Sequence, residues 1–484
     1  MSWTLLSNWL SAALQIGTTM VLARLLTPED FGLMAMALTL TVLVTQFRQL
    51  GLSQAVVQRE NLRWSEVNAL FWINAAAGVA LAAIVAAAGF PLAAFYGEPA
   101  IIPICAALGA GFIVSGLSVQ HGALLNRAMQ FRRISLRNVT AGALSSVAAV
   151  AAAFLGMGVW SLVVQSVSTV VLATALNWWA VPWRPSRPRG LRAALPLVAF
   201  GAHVSVANLF HTLSRQGDNI IIGRALDAGA LGLYSRAYGL LMLPLRQLKT
   251  PIQAVMVPTM AALQSEPARY RHAYRRAVSA LSHAGMPTVV VMAVMAHEII
   301  LVTLGDQWTG AAPIFQLLAL AGFVQLVSTT TGWIYTSTGR GRAYAGWAVV
   351  SGIVTVGGFL IGVRWGVEGV AASYAVSQVL LLPPAFVFAC RDTPLSLGDP
   401  FRAMVRPAIL SLVVLLTCVV ARSLTADLPA LAALVVVGAA ALVSWGACLA
   451  IWPSARREVA ELVSMAKRGK RGRGPSSRDG GDGG

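Results

Sequence analysis

Apolar runs long enough to cross a bilayer follow one another almost without pause along this chain, and that succession leaves few folds open to it. A lipid core about 30 Å thick takes roughly 20 consecutive apolar residues as a helix. Such runs are read near residues 3–25, 31–52, 67–90, 100–124, 134–156, 158–182, 195–223, 230–259, 278–304, 311–338, 343–363, 366–390, 404–422 and 428–452. Hydrophobic residues make up 57% and charged residues 11% of the chain, against about 25% charged in a soluble domain, so a water-soluble fold is excluded. Backbone polar groups in lipid must be satisfied within their own segment, which predicts helices. The expected fold class is therefore an all-α integral membrane protein of about 14 transmembrane helices. Met1 leads straight into the first run without a basic n-region, and no cleavable leader is expected.

Two segments, 200 residues apart, align without a gap. Val21 to Leu38 reads VLARLLTPEDFGLMAMAL and Ile221 to Tyr238 reads IIGRALDAGALGLYSRAY, with identities at Arg24/Arg224, Leu26/Leu226, Gly32/Gly232, Leu33/Leu233 and Ala37/Ala237. Both join the end of one apolar run to the start of the next. A duplicated bundle of membrane helices is a transporter architecture, with its site between the copies.

Charge orients the runs. With the N-terminus in the cytoplasm, the inward connections carry Arg59 and Arg63; Arg127, Arg132 and Arg133; Arg184, Arg187, Arg189 and Arg192; Arg269, Arg271, Arg275 and Arg276; Arg340 and Arg342; and Arg391, Arg402 and Arg406. The outward connections hold only Arg24, Arg224, Arg364 and Arg422, as the positive-inside rule requires. The net charge of +18 is thus topological, and no nucleic-acid partner is expected. An even number of spans places both termini in the cytoplasm. The expected domains are an N-terminal six-helix lobe over 1–192, a second six-helix lobe over 193–392, two further transmembrane helices over 393–453 and a basic, disordered cytoplasmic tail over 454–484. The link PWRPSRPRGLR, Pro182 to Arg192, is the seam between the lobes. Trp178, Trp179 and Trp183 mark an interfacial belt, and the basic tail is suited to anionic membrane lipids.

Ionisable residues inside spans are costly and point to function. The densest set lies on the eighth span. Arg246, Lys249 and Gln253 are three and four residues apart and share a helix face at about 100° per residue, flanked by Pro244 and Pro251, which weaken a helix ladder. Arg236, with Tyr234 and Tyr238, lies nearer the outer end. Either these cations pair with carbonyls or acids of a neighbouring helix, or they face a wet cavity and invite an anion; the second reading is preferred. Arg215 and Asp218 are helix neighbours, so Asp218 reads first as half of an ion pair and second as a site of cation coupling. Glu298, beside His297, has the same two readings. Arg48, with Gln46 and Gln49, serves either a cavity or the headgroups. Arg137 and Asn138 read as interfacial. Gln15, Asn208 and Gln216 are secondary polar candidates.

Enzymatic, metal and nucleotide chemistry is not expected. Cys105, Cys390, Cys418 and Cys448 form no CxxC pair, His121, His203, His211 and His283 lack metal-ligand spacing, and there is no GxxxxGK[ST] loop. No cofactor and no metal are expected.

At these residues the chain resembles a known family. LARLLTPEDFGLMAMALTL (22–40), FRQLGLSQAVVQRE (47–60) and DNIIIGRALDAGALGLYSRAYGLL (218–241) are similar to the polysaccharide-transport branch, the Wzx-type flippases, of the multidrug/oligosaccharidyl-lipid/polysaccharide exporter superfamily. The resemblance covers about residues 1–390 in span order. It implies alternating access between two lobes, moving an undecaprenyl-pyrophosphate-linked oligosaccharide across a bacterial inner membrane for O-antigen, capsule or exopolysaccharide synthesis. A polysaccharide polymerase and a chain-length regulator are the implied protein partners. It also implies that Arg48 lies where a pyrophosphate-contacting arginine is expected; Arg246 and Lys249 fit a second basic site less closely. In the lipid II flippase branch the middle of the first span is charged; here Leu14 to Met20 is uncharged, and that part of the site does not carry over. Arg24 and Arg224 fall at the outer rim or gate.

Two rivals are weighed. A cation-coupled multidrug antiporter of the same superfamily would favour cavity carboxylates, yet intramembrane Arg and Lys outnumber Asp and Glu. A membrane polymerase or ligase needs large external loops, and the outward connections are about ten residues or fewer.

Overall fold

The computed structural model describes residues 2–48, 64–187, 212 and 216–452, with side chains from residue 7 onward except those of 47 and 48. The helices are α1 (Ser2–Leu25), α2 (Pro28–Arg48), α3 (Trp64–Tyr96), α4 (Ile101–Gly116), α5 (Val119–Arg127), α6 (Phe131–Phe154), α7 (Val159–Ala180), α8 (Gly217–Ala225), α9 (Ala228–Ala262), α10 (Pro267–Val294), α11 (Ala296–Thr303), α12 (Ala311–Ser328), α13 (Thr331–Ser337), α14 (Gly341–Gly362), α15 (Gly366–Cys390), α16 (Gly398–Leu424) and α17 (Ala430–Ile451). There is no strand among the described residues. Nine described helical stretches are long and apolar enough to cross a membrane, and the pair α4–α5, bent by 46°, makes a tenth. The predicted run 195–223 lies largely outside the described residues.

Three runs differ in detail from the sequence expectation. The run near 100–124 is the bent pair α4–α5. The run near 278–304 begins eleven residues earlier, because Pro267 sits at the first helical turn, where its missing N–H costs nothing, and Tyr270 and Tyr274 are fully buried. The run near 311–338 is broken between α12 and α13. Conversely, Pro244, Pro251 and Pro258 all lie inside a continuous α9.

The repeated turns have a common local chemistry. Thr27 and Asp30 exchange bonds at the start of α2: the Thr27 N–H donates to Asp30 Oδ2 at 3.0 Å and the Asp30 N–H to Thr27 Oγ1 at 3.3 Å. This is a reciprocal cap that satisfies two orphan donors. In the second copy Asp227 takes the place of Thr27, and its Oδ1 accepts the Ala230 N–H at 2.7 Å. The capping residue changes between copies while the function of the position is kept.

The described residues divide into two compact units. The first comprises Met1–Gly239, Ile300–Leu317 and Ala348–Ser377, the second Leu240–Ile299, Leu318–Trp347 and Gln378–Gly484. In the first unit α3 packs along α4, with glycines where the backbones come closest. A Cβ on Gly78 would stand 2.7 Å from the Phe112 carbonyl oxygen, and one on Gly116 2.6 Å from that of Asn74. Small residues permit such approach, and dispersion then holds helices that lipid does not drive together. The seam after α7 is tied to α3: Asn68 accepts the Ser186 N–H and donates to the Arg187 carbonyl, both at 2.8 Å.

In the second unit α16 and α17 pack on α10. Met295, Val414, Cys418, Ala433, Val437 and Ala441 form a buried cluster, and Trp445 donates its indole N–H to the His283 carbonyl at 3.2 Å. Arginines assigned to inward connections bind helix ends here. Arg340 donates to the carbonyls of Phe388, Ala389 and Arg391 at the end of α15, where a cation complements the helix dipole. Arg271 meets buried Asp399 at 3.2 Å and the Pro394 carbonyl at 2.7 Å.

Candidate functional site

The structure brings the two repeated turns into contact. An ideal Cβ on Gly32 would stand 1.6 Å from the Ala228 carbonyl oxygen, and one on Gly232 would stand 1.8 Å from that of Pro28. Nothing larger than glycine fits at either position while α2 and α9 meet this closely. The equivalence read in the sequence is therefore a physical contact within the first unit.

The segment after α11 seals this end. Gln307 donates its side-chain amide to the carbonyls of Ala23 and Leu26, and Trp308 donates its indole N–H to Ala23 at 2.7 Å. These carbonyls lie in the last turn of α1 and just past it, where intrahelical partners run out. Trp308 is fully buried and meets Phe31 edge-on at 5.3 Å. Arg24 donates to the Val302 carbonyl at 2.9 Å, while Arg224 lies over the Phe95 ring at 5.7 Å. Arg24 and Arg224 thus occupy equivalent sequence positions but bind different partners.

Just inside the contact lies a polar and aromatic group. The Tyr234 hydroxyl donates to Asp218 Oδ2 at 3.1 Å, and the Asn219 N–H donates to Asp218 Oδ1 at 2.8 Å. Tyr234 and Tyr238 stack at 6.3 Å, Tyr238 meets Tyr374 edge-on at 6.3 Å, and Tyr374 packs on Phe359 at 5.8 Å. The Arg236 guanidinium sits over the Phe31 ring at 4.7 Å, a cation–π contact strengthened by desolvation. Its Nε is buried with no acceptor among the described residues. Sequence reasoning singled out Asp218 and Arg236 but missed Phe31, Gln307, Trp308 and Tyr374. The contacts that bring them here, Phe31 to Trp308, Gln307 and Trp308 to Ala23, and Tyr374 to Tyr238, join residues more than a hundred apart, and no spacing rule connects them.

Further along α9, Arg246 and Gln253 are exposed and Lys249 is half-buried. At about 1.5 Å per residue, Arg236 lies roughly 12 Å and Arg246 roughly 27 Å along the helix from Ala228. The basic side chains therefore run from the closed end well into the helix. Arg246 makes no hydrogen bond or ion pair with the described residues. Arg48 closes α2, but its side chain, with Gln49, falls outside the described residues, as does Asn208.

Glu298 has a specific partner. In the second unit Arg422 meets its Oε1 at 2.7 Å through Nη2 and 3.0 Å through Nε. Glu298 is buried while Arg422 is 41% exposed. Its Oε2 is buried without a donor among the described residues. No group of three or more His, Cys, Asp or Glu suited to a metal occurs among the described residues.

A family model described as polysaccharide biosynthesis protein matches residues 21–313, more than half of the chain. The chain belongs to the polysaccharide biosynthesis protein family. The matched stretch includes both repeated turns and the Gln307–Trp308 seal. Among relatives of this family protein, the lipopolysaccharide biosynthesis protein WzxC of Escherichia coli is 23% identical, over 82% of this chain and 83% of that one. The succinoglycan biosynthesis transport protein ExoT of Rhizobium meliloti is 27% identical, over 85% and 84%. The teichuronic acid biosynthesis protein TuaB of Bacillus subtilis is 24% identical, over 70% of each. In fold it resembles the lipid II flippase MurJ in an inward closed conformation, with a TM-score of 0.69 at 10% identity over 92% of this chain and 98% of that one. An inward-facing multidrug transporter of the MOP superfamily gives 0.65 at 15% identity over 81% and 96%. The polysaccharide biosynthesis family protein is thus a multi-pass membrane protein with a transporter fold.

Proposed function

We propose that this protein moves undecaprenyl-pyrophosphate-linked oligosaccharide units across a bacterial inner membrane by alternating access. The observation that carries this reading is the Arg246–Lys249–Gln253 set on an otherwise apolar helix, in a chain of the polysaccharide biosynthesis family. The mechanism requires 14 spans, in two six-helix lobes over 1–192 and 193–392 with two additional helices, and both termini in the cytoplasm. Helix α9 carries Arg236, Arg246 and Lys249 along its length. Helices bearing mid-span polar groups face a wet path rather than lipid.

In this scheme the pyrophosphate enters from the cytoplasmic leaflet and meets Arg246 and Lys249, while Arg48 is a separate candidate for pyrophosphate contact. Guanidinium groups bind phosphate by charge-assisted, bidentate hydrogen bonds. Gln49 and Gln253 supply neutral hydrogen bonds to sugar hydroxyls. The lipid tail stays in the bilayer, so the chain encloses only the head. The Gly32–Gly232 contact with the Trp308 seal serves in this scheme as the outer gate, with Arg24 and Arg224 at its rim. When it opens, Arg236 leaves Phe31 and becomes the last cation on the way out. A polysaccharide polymerase and a chain-length regulator receive the product. Asp218 is available for cation coupling only if its Tyr234 bond breaks during the cycle, and Glu298 only if it parts from Arg422.

Export in a host lacking its own transporter tests the reading. Arg246→Ala with Lys249→Ala is expected to lower surface polymer at least roughly tenfold, the loss of one or more charge-assisted contacts worth about 1.5–3 kcal/mol each. Lipid-linked units then accumulate on the cytoplasmic leaflet while the protein stays in the membrane. Normal export by the double variant overturns the assignment of these cations.

A further inference from the structure

A basic pocket lies at the far end of the first unit from the repeated turns. The start of α3, the end of α5, the start of α6 and the end of α7 converge there on an open pocket of about 720 Å³, lined by Trp64, Arg127, Gln130, Arg133, Val181 and Trp183 among others. Arg127 is in the last turn of α5. Arg133 is anchored by one N–H to the Ala180 carbonyl at 3.0 Å, which leaves donors of its five-donor fork directed elsewhere. Trp183 is fixed from behind by edge contacts with Phe71 at 5.9 Å and His121 at 5.3 Å. The Gln130 Oε1 is buried with no donor among the described residues, and such an atom costs free energy unless something donates to it.

We propose that this pocket binds an anionic glycerophospholipid of the cytoplasmic leaflet, of the phosphatidylglycerol type. Each part of such a lipid has a counterpart. The phosphodiester takes Arg127 and Arg133. A headgroup hydroxyl donates to Gln130 Oε1. The glycerol and the first methylenes lie on Trp64, Trp183 and Val181, as amphipathic indoles do at the bilayer interface. The volume is that of a small-molecule site. Basic pockets on the cytoplasmic side hold anionic headgroups in the leaflet where those lipids concentrate. A lipid seated here would bridge four helix ends of the first lobe and hold its inner rim. The proposal shares only the membrane orientation with the transport reading, and its readout requires no transport.

The test is lipid retention by the purified full-length protein in mixed micelles, read by native mass spectrometry. The wild type is expected to retain phosphatidylglycerol over phosphatidylcholine. Arg127→Gln with Arg133→Gln is expected to lower that retention about fivefold or more, near 1 kcal/mol, while Arg132→Gln, an adjacent charge outside the pocket, changes it less than about twofold. Gln130→Leu keeps both arginines and is expected to erase the preference for phosphatidylglycerol over phosphatidylmethanol, which has the same charge and no headgroup hydroxyl. Equal retention of phosphatidylglycerol and phosphatidylcholine overturns the proposal. So does a loss with Arg132→Gln as large as with the double variant, which would mean diffuse electrostatics. Displacement of the lipid by millimolar inorganic phosphate would mark a phosphate site instead. Because export by the Arg246 and Lys249 variants is measured separately, either reading can fail alone.

Discussion

Arg24, Arg224 and Arg422, read from the sequence at outward connections, each have their own partner. Arg24 binds the Val302 carbonyl, Arg224 lies over Phe95 and Arg422 holds Glu298. The sequence marked these residues as exceptions without saying why they are tolerated, because every partner is remote in the chain. The Glu298–Arg422 pair gives a prediction at this scale. Arg422→Met leaves a buried carboxylate uncompensated and should destabilise the protein by roughly 1–3 kcal/mol, moderated by the partial exposure of the arginine. Glu298→Gln in that background removes the stranded charge and should recover most of the lost thermal stability. A double variant no more stable than Arg422→Met would show that the ion pair is not what holds these side chains.

The repeated turn is the element whose meaning changed most between sequence and structure. Its alignment was legible from five identities, and its caps follow from Thr27, Asp30 and Asp227 in the expected positions. Its glycines mark the place where two helices touch with no room for a Cβ. Gly32→Ala is therefore expected to hold the two turns apart. In a variant stripped of native cysteines, a cysteine at Tyr234 should become reactive to an impermeant thiol reagent from outside, and export should fall. Unchanged protection would show that the contact does not set gate closure. The helix breaks were not legible. Ser118, between α4 and α5, accepts the Asn177 amide at 2.6 Å, and Thr330, between α12 and α13, bonds the Tyr274 hydroxyl at 2.9 Å. Side chains on other helices stabilise both breaks, while the prolines of α9, the local signal for a break, leave that helix continuous.

For the whole molecule, topology is the property to measure. Cysteines at Asp306 and Arg340 should label from opposite sides of the membrane, since the proposed orientation puts the first outside and the second inside. Labelling from one side would break the span count and the direction of transport. The chain by itself determined that it is a helical membrane protein, that one turn sequence recurs and that basic residues interrupt its apolar runs. These follow from composition, periodicity and charge, which act locally and survive in any arrangement of the helices. Only the tertiary structure decided that Gly32 and Gly232 meet carbonyls of the opposite turn, that Trp308 seals them, that Arg236 rests on Phe31 and that Glu298 is neutralised by Arg422. The reason is physical: lipid satisfies an apolar helix on any face, so helix pairing rests on close packing and a few buried polar contacts, and those are specified by residues far apart in the chain.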